Sequence, residues 1–511
     1  LYSFVVKALY EPNSAEQVAN WTETSMALTL IGIDVGTTAT KAILIDGSGK
    51  QLSSFTRPHS MDRSGAGKAE QSPDVWVESV LAALTQFAEI ADLSSLAGIG
   101  LTSQVNTHVF VGRDKKALRP AITWQDTRAA EDAASLEARV TPEQKTQWFG
   151  GPVPIDASHA LSRMAYIART EPELWDKTWQ VLLPKDYIAL QLTGALAADP
   201  VAAIGLVNEA GDYVCELLDL LPGALDRLPP LYSYEHVTGS VKSGLPAAGA
   251  SVCVGAMDAW AGMFGCGVVE HGDAMYQSGT SEVMGIVSNT VVPTPGVILF
   301  PPYQGIRMHA APTQSGGASL NWLSSLLNRP IGELASLAQN TDITAQTPLF
   351  LPHLAGERAP IWDAQSRGVF ANLSSATTPG DMAVSVLEGV AHSAHWALSA
   401  LISSADFTPK TLRIGGGGSQ SDLWCQIRAD VLGIPLERAS GDATAALGAA
   451  IIAGVGSQVF ASLPEAVRSL VHFDKTFVPN LEKSAFYSSR HAQFRTLYQQ
   501  MKALNFAQKP A

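Results

Sequence analysis

Few cysteines, little charge and no unbroken apolar run set the first limits on this chain of 511 residues. Its four cysteines, Cys215, Cys253, Cys266 and Cys425, have neither the C-x-x-C spacing of a metal or redox pair nor the density of a disulfide scaffold. They are expected to be buried thiols in a reducing compartment. Charged residues make up only 16%, and no Lys or Arg cluster interrupts a formal net charge of −13. Nucleic acid and anionic membranes are therefore repelled, and a small molecule is the expected partner. The most apolar long window, 252–269, is broken by Asp258 and built of Gly, Ala and Met rather than Leu and Ile, which argues against a membrane span. No low-complexity tract gathers the 43 glycines and 29 prolines, and the length suffices for at least two domains, each with its own core. The start of the chain has no basic, apolar and small-residue leader pattern, so residues 1–27 are set apart as an N-terminal extension.

What the chain does carry is a strand, a glycine turn and a second strand, met twice. Leu28–Ile33, Ala42–Ile45 and Gln51–Arg57 read as strands, the last two joined by the hairpin signal Asp46-Gly47-Ser48-Gly49. Val75–Ile90 has apolar residues at helical spacing and Leu96–Leu101 reads as a further strand, so a mixed sheet flanked by helices is expected. Asp273–Val287, DAMYQSGTSEVMGIV, repeats the strand, turn and strand about 240 residues after the first turn, a spacing that suits one domain plus insertions. The boundary is placed near Val269–Asp273, giving domains 28–271 and 272–511. Further on, Gly317–Leu327 and Pro379–Ile402 read as helices, and Thr411–Ile414 as a strand opening into Gly415-Gly416-Gly417-Gly418. Asp422–Leu432 and the Ala-rich Ala445–Ala453 follow as helices, the second suited to close packing.

In the first turn, IGIDVGTTATK at Ile31–Lys41, Gly36 lets backbone N–H groups approach an anion. Thr37 and Thr38 add hydroxyl donors, and Asp34 can hold a hydrated metal. Phosphoryl transfer is the first hypothesis and a plain tight turn the alternative. Lys41 reads equally as a phosphate contact and as a solvated lysine. Asp258, the lone charge in its apolar run, is either a buried, partnered carboxylate or an active-site one. Trp124, followed by Gln125 and Asp126, is either an apolar wall for a sugar or a core tryptophan with capping neighbours.

Taken together, Asp34-x-Gly36-Thr37-Thr38, Ser278-Gly279-Thr280-Ser281 and the late glycine run resemble the sugar-kinase, heat-shock-ATPase and actin superfamily. EQSPDVW at Glu70–Trp76, RPAITWQDTR at Arg119–Arg128, LPKDYIALQLTG at Leu183–Gly194, GAMDAWAG at Gly255–Gly262 and GGGGSQSDLWCQIRADVLG at Gly415–Gly433 extend the likeness from Thr29 to Gly456. It is closest to the FGGY family of carbohydrate kinases. The resemblance implies an α/β fold of two actin-like, ribonuclease H-like domains, each a mixed sheet flanked by helices, closing on a central cleft. The first domain would take the sugar and the second the nucleotide, with ATP and Mg2+ required, in a cytoplasmic enzyme whose assembly as a homodimer is left open.

Carried onto this chain, the resemblance makes Asp258 the base that takes the proton of the acceptor hydroxyl and Asp34 the holder of Mg2+ through water. Gly36, Thr37, Thr38, Gly279 and Thr280 would lie near the phosphates. Gly417 and Gly418 would let the adenosine rest on bare backbone, with Gly317 and Asn321 on the other nucleotide-side helix. Asp422 is either a nucleotide neighbour or a plain helix cap. Gln104, Val105, Asn106, Trp124 and Asp258 would meet the sugar. The missing Arg-Glu pair after Gln104 argues against glycerol, and the RPAITWQD and GAMDAWAG stretches favour D-xylulose, phosphorylated at its 5-hydroxyl, over another ketose or polyol. Two departures bear on the acceptor: Val105-Asn106 stands where xylulose-phosphorylating members carry Met-His, and Ala197–Ile204 keeps only Asp199 of the family pattern. The different-class alternative is a nucleotide-driven switch with no kinase activity.

Overall fold

The computed structural model describes residues 28–150 and 153–504, so the expected extension 1–27 lies outside the described residues. Two seven-stranded sheets organise them. The first contains β1 (Thr29–Val35), β2 (Ala39–Asp46), β3 (Gln51–Pro58), β4 (Leu96–Ser103), β5 (Val237–Ser240), β6 (Ser251–Cys253) and β7 (Ala256–Met257). Their order is β3-β2-β1-β4-β6-β5, with β7 beside the end of β4. The β1–β2 and β2–β3 pairs are antiparallel, whereas β1, β4 and β6 run parallel. The second sheet contains β8 (Ala274–Ser278), β9 (Glu282–Val287), β10 (Ile298–Leu299), β11 (Met308–Thr313), β12 (Leu412–Gly415), β13 (Leu436–Ala439) and β14 (Phe473–Phe477), in the order β10-β11-β9-β8-β12-β13-β14. An antiparallel meander, β11-β9-β8, again passes into parallel β8, β12 and β13. The expected repetition of a mixed sheet is therefore present in topology and not only in turn chemistry.

Helices cover both sheets for reasons visible locally. In α1 (Pro73–Ile90), Trp76, Val80, Ala83, Leu84 and Phe87 fall on one stripe and are buried, and Pro73 starts the helix where its missing N–H is harmless. β7 leads directly into α2 (Asp258–Gly265), and α3 (Gly317–Leu327) follows β11. The long α4 (Pro379–Ala405) opens with a capping box between Thr378 and Asp381. Gly433, in the left-handed region, ends α5 (Asp422–Leu432), and α6 (Thr444–Gly456) comes before the C-terminal α7 (Ser484–Leu504).

Helix α6 belongs by sequence to the second half but lies against β1, β4 and α2 of the first. One apolar core runs through Leu30, Ile43, Trp260, Met263, Ala446, Ala450, Ile452, Met275 and Met308, from one sheet to the other. Ile451 and Ile452 are fully buried, each contributing roughly 1.5–3 kcal/mol. The approach is very close: a Cβ on Gly448 would lie 1.7 Å from the Ala261 carbonyl oxygen, and one on Gly32 would lie 1.8 Å from that of Ala446. The Ala- and Gly-rich composition of α6 thus serves close approach of backbones.

The cysteine expectation needs one correction. Cys253, Cys266 and Cys425 are buried, but Cys215 is exposed, because it opens the short helix Cys215–Leu218 whose Leu217 and Leu218 take the inward face. Among the described residues no helix is long and apolar enough to cross a membrane.

Candidate active site

Register across the first sheet gathers the polar residues singled out from the sequence. Asp34 of β1 is opposite Thr102 of β4, and Thr102 is opposite Ala256 of β7, two residues before Asp258. Asp34, Gln104 and Asp258 therefore emerge together at the carboxyl ends of parallel strands, the usual place for a ligand in such sheets. The Gly36 N–H bonds the Ala39 carbonyl at 3.0 Å and closes the first turn. Trp124 points its indole at this turn, donating from Nε1 to Thr37 Oγ1 at 3.0 Å. Thr38 is exposed.

Gln71 ties the cluster together: its side chain donates to the Thr37 carbonyl at 2.7 Å and accepts from Gln104 Nε2 at 2.9 Å. Gln104 is almost wholly buried and its Oε1 has no partner. Glu70, one residue earlier, instead sits in an ion cluster with Arg119 and Arg128, which also hold Glu171 and Asp126.

Both carboxyls are raised above the ordinary carboxylate value. Burial, then the charge of Asp258, push Asp34 up to about 7 against the pull of Lys41. Burial also raises Asp258 to about 6, opposed by N–H groups at the start of α2, where Ala259 N donates to Asp258 Oδ1 at 2.8 Å. Asp34 Oδ1 has no hydrogen-bond partner. A divalent cation, brought with phosphate oxygens and water, fits such a donor: it would satisfy the orphaned oxygen and hold the carboxyl in its charged form. Among the described residues no group of three or more His, Cys, Asp or Glu could by itself hold a metal ion, so phosphate and water would have to complete the shell.

Beyond this cluster, Val105 and Asn106 follow Gln104 along one wall. Asn106 is in the left-handed region at φ 52°, its carbonyl is held by Arg163, and its amide meets only Ser158, at 3.4 Å. Behind it lies a cavity of about 40 Å³ lined by Asn106, His108, Asp186, Asp199 and small residues including Ala198 and Ala202. Asp199 lies there beside the fully buried Lys185, at 2.7 Å, and Lys185 also pairs with Asp186 at 2.6 Å. His108 accepts from Arg163 within hydrogen-bonding distance, and burial keeps it far below its ordinary value, so it is neutral.

The second sheet presents a matching edge. The Gly279–Thr280 turn joins β8 to β9, and both of its carbonyls accept from the first turn of α3, Gly317 N at 2.9 Å and Ala318 N at 3.0 Å. Asn321 is exposed one turn further along. The glycine run leaves β12 alongside, since Gln277 of β8 is opposite Gly415. In that run Gly417 is exposed and a Cβ there would meet nothing within 4 Å, whereas one on Gly418 would lie 2.1 Å from Ser278 Oγ. Asp422 is engaged by Arg438 at 2.7 Å and Lys475 at 2.6 Å, while the hydroxyl of Ser421 caps α5.

Contacts at the start of α6 bring the two edges together. Lys41 pairs with Asp442 at 3.1 Å, and Thr444 donates to Gln277 Oε1 at 3.2 Å while Gln277 Nε2 reaches the Gly262 carbonyl of α2 at 2.8 Å. Lys41 is thus a link between halves rather than a free surface lysine. Sequence reading placed Gln71 in the EQSPDVW stretch without assigning it a contact, and missed Gln277 and Glu357. The last of these accepts from Ser315 Oγ at 2.6 Å and holds the loop leading to α3. Of the two missed, only Glu357 had a local signal, an acidic residue inside the turn-like Gly356-Glu-Arg-Ala-Pro360.

Comparison with known proteins agrees with this geometry. Residues 29–265 match the N-terminal domain and residues 274–457 the C-terminal domain of the FGGY family of carbohydrate kinases. The chain belongs to that family. Among FGGY relatives it is 31% identical over 488 residues to xylulose kinase of Escherichia coli K12, covering 92% of this chain and 99% of the relative. A ligand-bound xylulose kinase from Lactobacillus acidophilus superposes with a TM-score of 0.83 at 25% identity, over 93% of this chain and 98% of that one. A gluconate kinase from the same organism gives 0.82, also at 25% identity, over the same shares of the two chains. The fold is the two-domain, actin-like architecture of FGGY kinases, and the chain is a carbohydrate kinase.

Proposed function

We propose that this kinase transfers the γ-phosphoryl group of ATP to the 5-hydroxyl of D-xylulose, giving D-xylulose 5-phosphate and ADP, in the cytoplasm. The observation that carries the reading is Asp258, a partly buried carboxylate held at about 6 beside Asp34 at the carboxyl edge of the first sheet. The choice of acceptor rests on relatives that span nearly the whole chain and are named xylulose kinases. Residues 28–271 serve as the sugar domain and 272–511 as the nucleotide domain.

In this reading the acceptor lies between Trp124 and the Gln104–Asn106 wall, its terminal hydroxyl at Asp258. As that oxygen bonds to phosphorus and the bond to the ADP oxygen breaks, Asp258 takes the hydroxyl proton. Asp34 would hold a bound magnesium ion, which would supply neutralisation of the phosphate charge. Thr37, Thr38 and the Gly36 turn receive the phosphates from one side, and Gly279 and Thr280 from the other. Gly417, Gly418 and the exposed Asn321 border the nucleoside. The protein contributes position and electrostatics, and closure of the halves keeps water from the phosphoryl group.

A coupled ADP-release assay across D-xylulose, D-ribulose, glycerol and gluconate tests this. D-Xylulose should give the highest kcat/KM. A higher value for any other acceptor would overturn the assignment, and brisk ATP hydrolysis without a sugar would argue against a closing site.

A further inference from the structure

Behind the Gly279–Thr280 turn, away from its exposed tip, lies a buried ion pair that no step above uses. Arg428 of α5 and Glu282 of β9 are both wholly buried, with Arg428 Nη2 at 2.5 Å from Glu282 Oε1. The same guanidinium donates from Nη2 to Ser278 Oγ at 2.7 Å and from Nη1 to the Gly418 carbonyl at 2.9 Å. Ser278 Oγ in turn donates to Glu282 Oε1 at 2.9 Å, and Tyr276 donates to Glu282 Oε2 at 2.6 Å. The guanidinium is stacked 4.0 Å from the Trp424 ring, which sets its plane.

Ser278 and Glu282 face each other across the strands that flank the first of these turns, and Gly418 belongs to the second. One planar side chain therefore holds both. The backbones leave no room for anything else between them: a Cβ on Gly416 would lie 2.6 Å from the Ser278 carbonyl oxygen. Stability alone does not call for such a pair, because an apolar pair of similar volume in a buried site is often as stable or more so. A fork with donors in fixed directions supplies a set distance between two loops, which apolar packing or a lysine does not.

We infer that Arg428, through Glu282, Ser278 and Gly418, is a positioning residue that fixes the gap between the Gly279–Thr280 turn and the Gly416–Gly418 turn, and so sets how tightly the nucleotide is held. This rests on the reading that both turns face the nucleotide. The test is direct binding of ADP to the full chain by titration calorimetry without sugar, beside KM for ATP and for acceptor and a thermal melt. In the double variant Arg428→Met/Glu282→Gln both charges are gone, volume is kept and Tyr276 and Ser278 keep an acceptor, so it should melt near the wild type. Its Kd for ADP and KM for ATP should nonetheless rise about tenfold, with KM for acceptor unchanged. Arg428→Lys should fall between, and Ser278→Ala, which leaves the charges paired, should cost about threefold. If the double variant does not fold, Ser278→Ala decides alone. Variants that melt like the wild type and bind ADP within about twofold of it would overturn the positioning role. A wild-type chain that bound no ADP would overturn the nucleotide reading with it.

Discussion

Trp124 Nε1 donates to Thr37 Oγ1 across 3.0 Å, joining the tryptophan proposed to face the sugar to a threonine of the turn proposed to hold phosphate, 87 residues earlier. Because one hydrogen bond spans both proposed subsites, removing it should disturb sugar and nucleotide together. Trp124→Phe keeps an aromatic wall but loses the donor, so KM should rise about threefold to tenfold for both substrates. Thr37→Ala should do the same. The double variant should cost less than the sum, with a coupling of about 1 kcal/mol in a cycle of kcat/KM values.

Asp258→Asn should retain sugar binding while kcat falls by roughly two to four powers of ten. A near wild-type rate would make Asp258 a structural carboxylate. In the wild type, the base is lost as pH falls through about 6, so kcat/KM should drop on the acid side of that value. The folded value lies above the ordinary 3.8, so the carboxylate is disfavoured on folding. That penalty is absent below the unfolded value and complete above the folded one. The melting temperature of Asp258→Asn should thus exceed that of the wild type at pH 8, and the two should converge near pH 4.

Asn106 holds Ser158 only at 3.4 Å, leaving its amide available to adjacent sugar hydroxyls. Asn106→Ala should lower kcat/KM for the preferred ketose by about ten- to a hundredfold while KM for ATP stays put. An equal loss for every acceptor would assign Asn106 to shaping the left-handed backbone turn instead.

The face between α4 and α7 should govern acid stability. His395 Nδ1 and His491 Nε2 are 3.2 Å apart, beside His392, Glu388, Arg490 and Arg495. Burial holds His395 at about 4 and His491 at about 3, so both are neutral in the fold but protonate near 6.5 once unfolded. Stability from these two histidines is complete above about pH 6.5 and declines as pH falls toward 4. His491→Phe should flatten that decline in denaturant titrations between pH 7 and pH 4.5. An unchanged slope would place the acid sensitivity elsewhere.

Much of this molecule was legible because its turns announce themselves. Gly317–Leu327 and Asp422–Leu432 form helices with those bounds, and the hairpins around Gly36 and Gly279 were marked by a glycine between apolar runs. Strand ends were less clear: β1 runs on to Val35, because pairing with β2 and β4, not composition, decides where a strand stops. The long-range partners of the polar residues that hold the site together left no local trace. Gln277 meets Thr444 across 167 positions, and Arg428 meets Glu282 across 146. Nothing near a glutamine or an arginine in sequence tells which carbonyl or carboxylate the folded sheet will bring to it. Asp422 illustrates the reverse case, a carboxylate beside a glycine turn whose partners in the structure are Arg438 and Lys475.

The crossing of α6 onto the first sheet has a consequence for synthesis. Ribosomes release β1 and β4 long before residues 444–456, so the apolar face those strands present to α6 stays uncovered through most of translation. A fragment ending at residue 271 should therefore be sticky and poorly soluble, and supplying the missing helix as a peptide in trans should rescue it. Nascent chains of this kinase thus expose that face of the growing sheet until their own last third has been made.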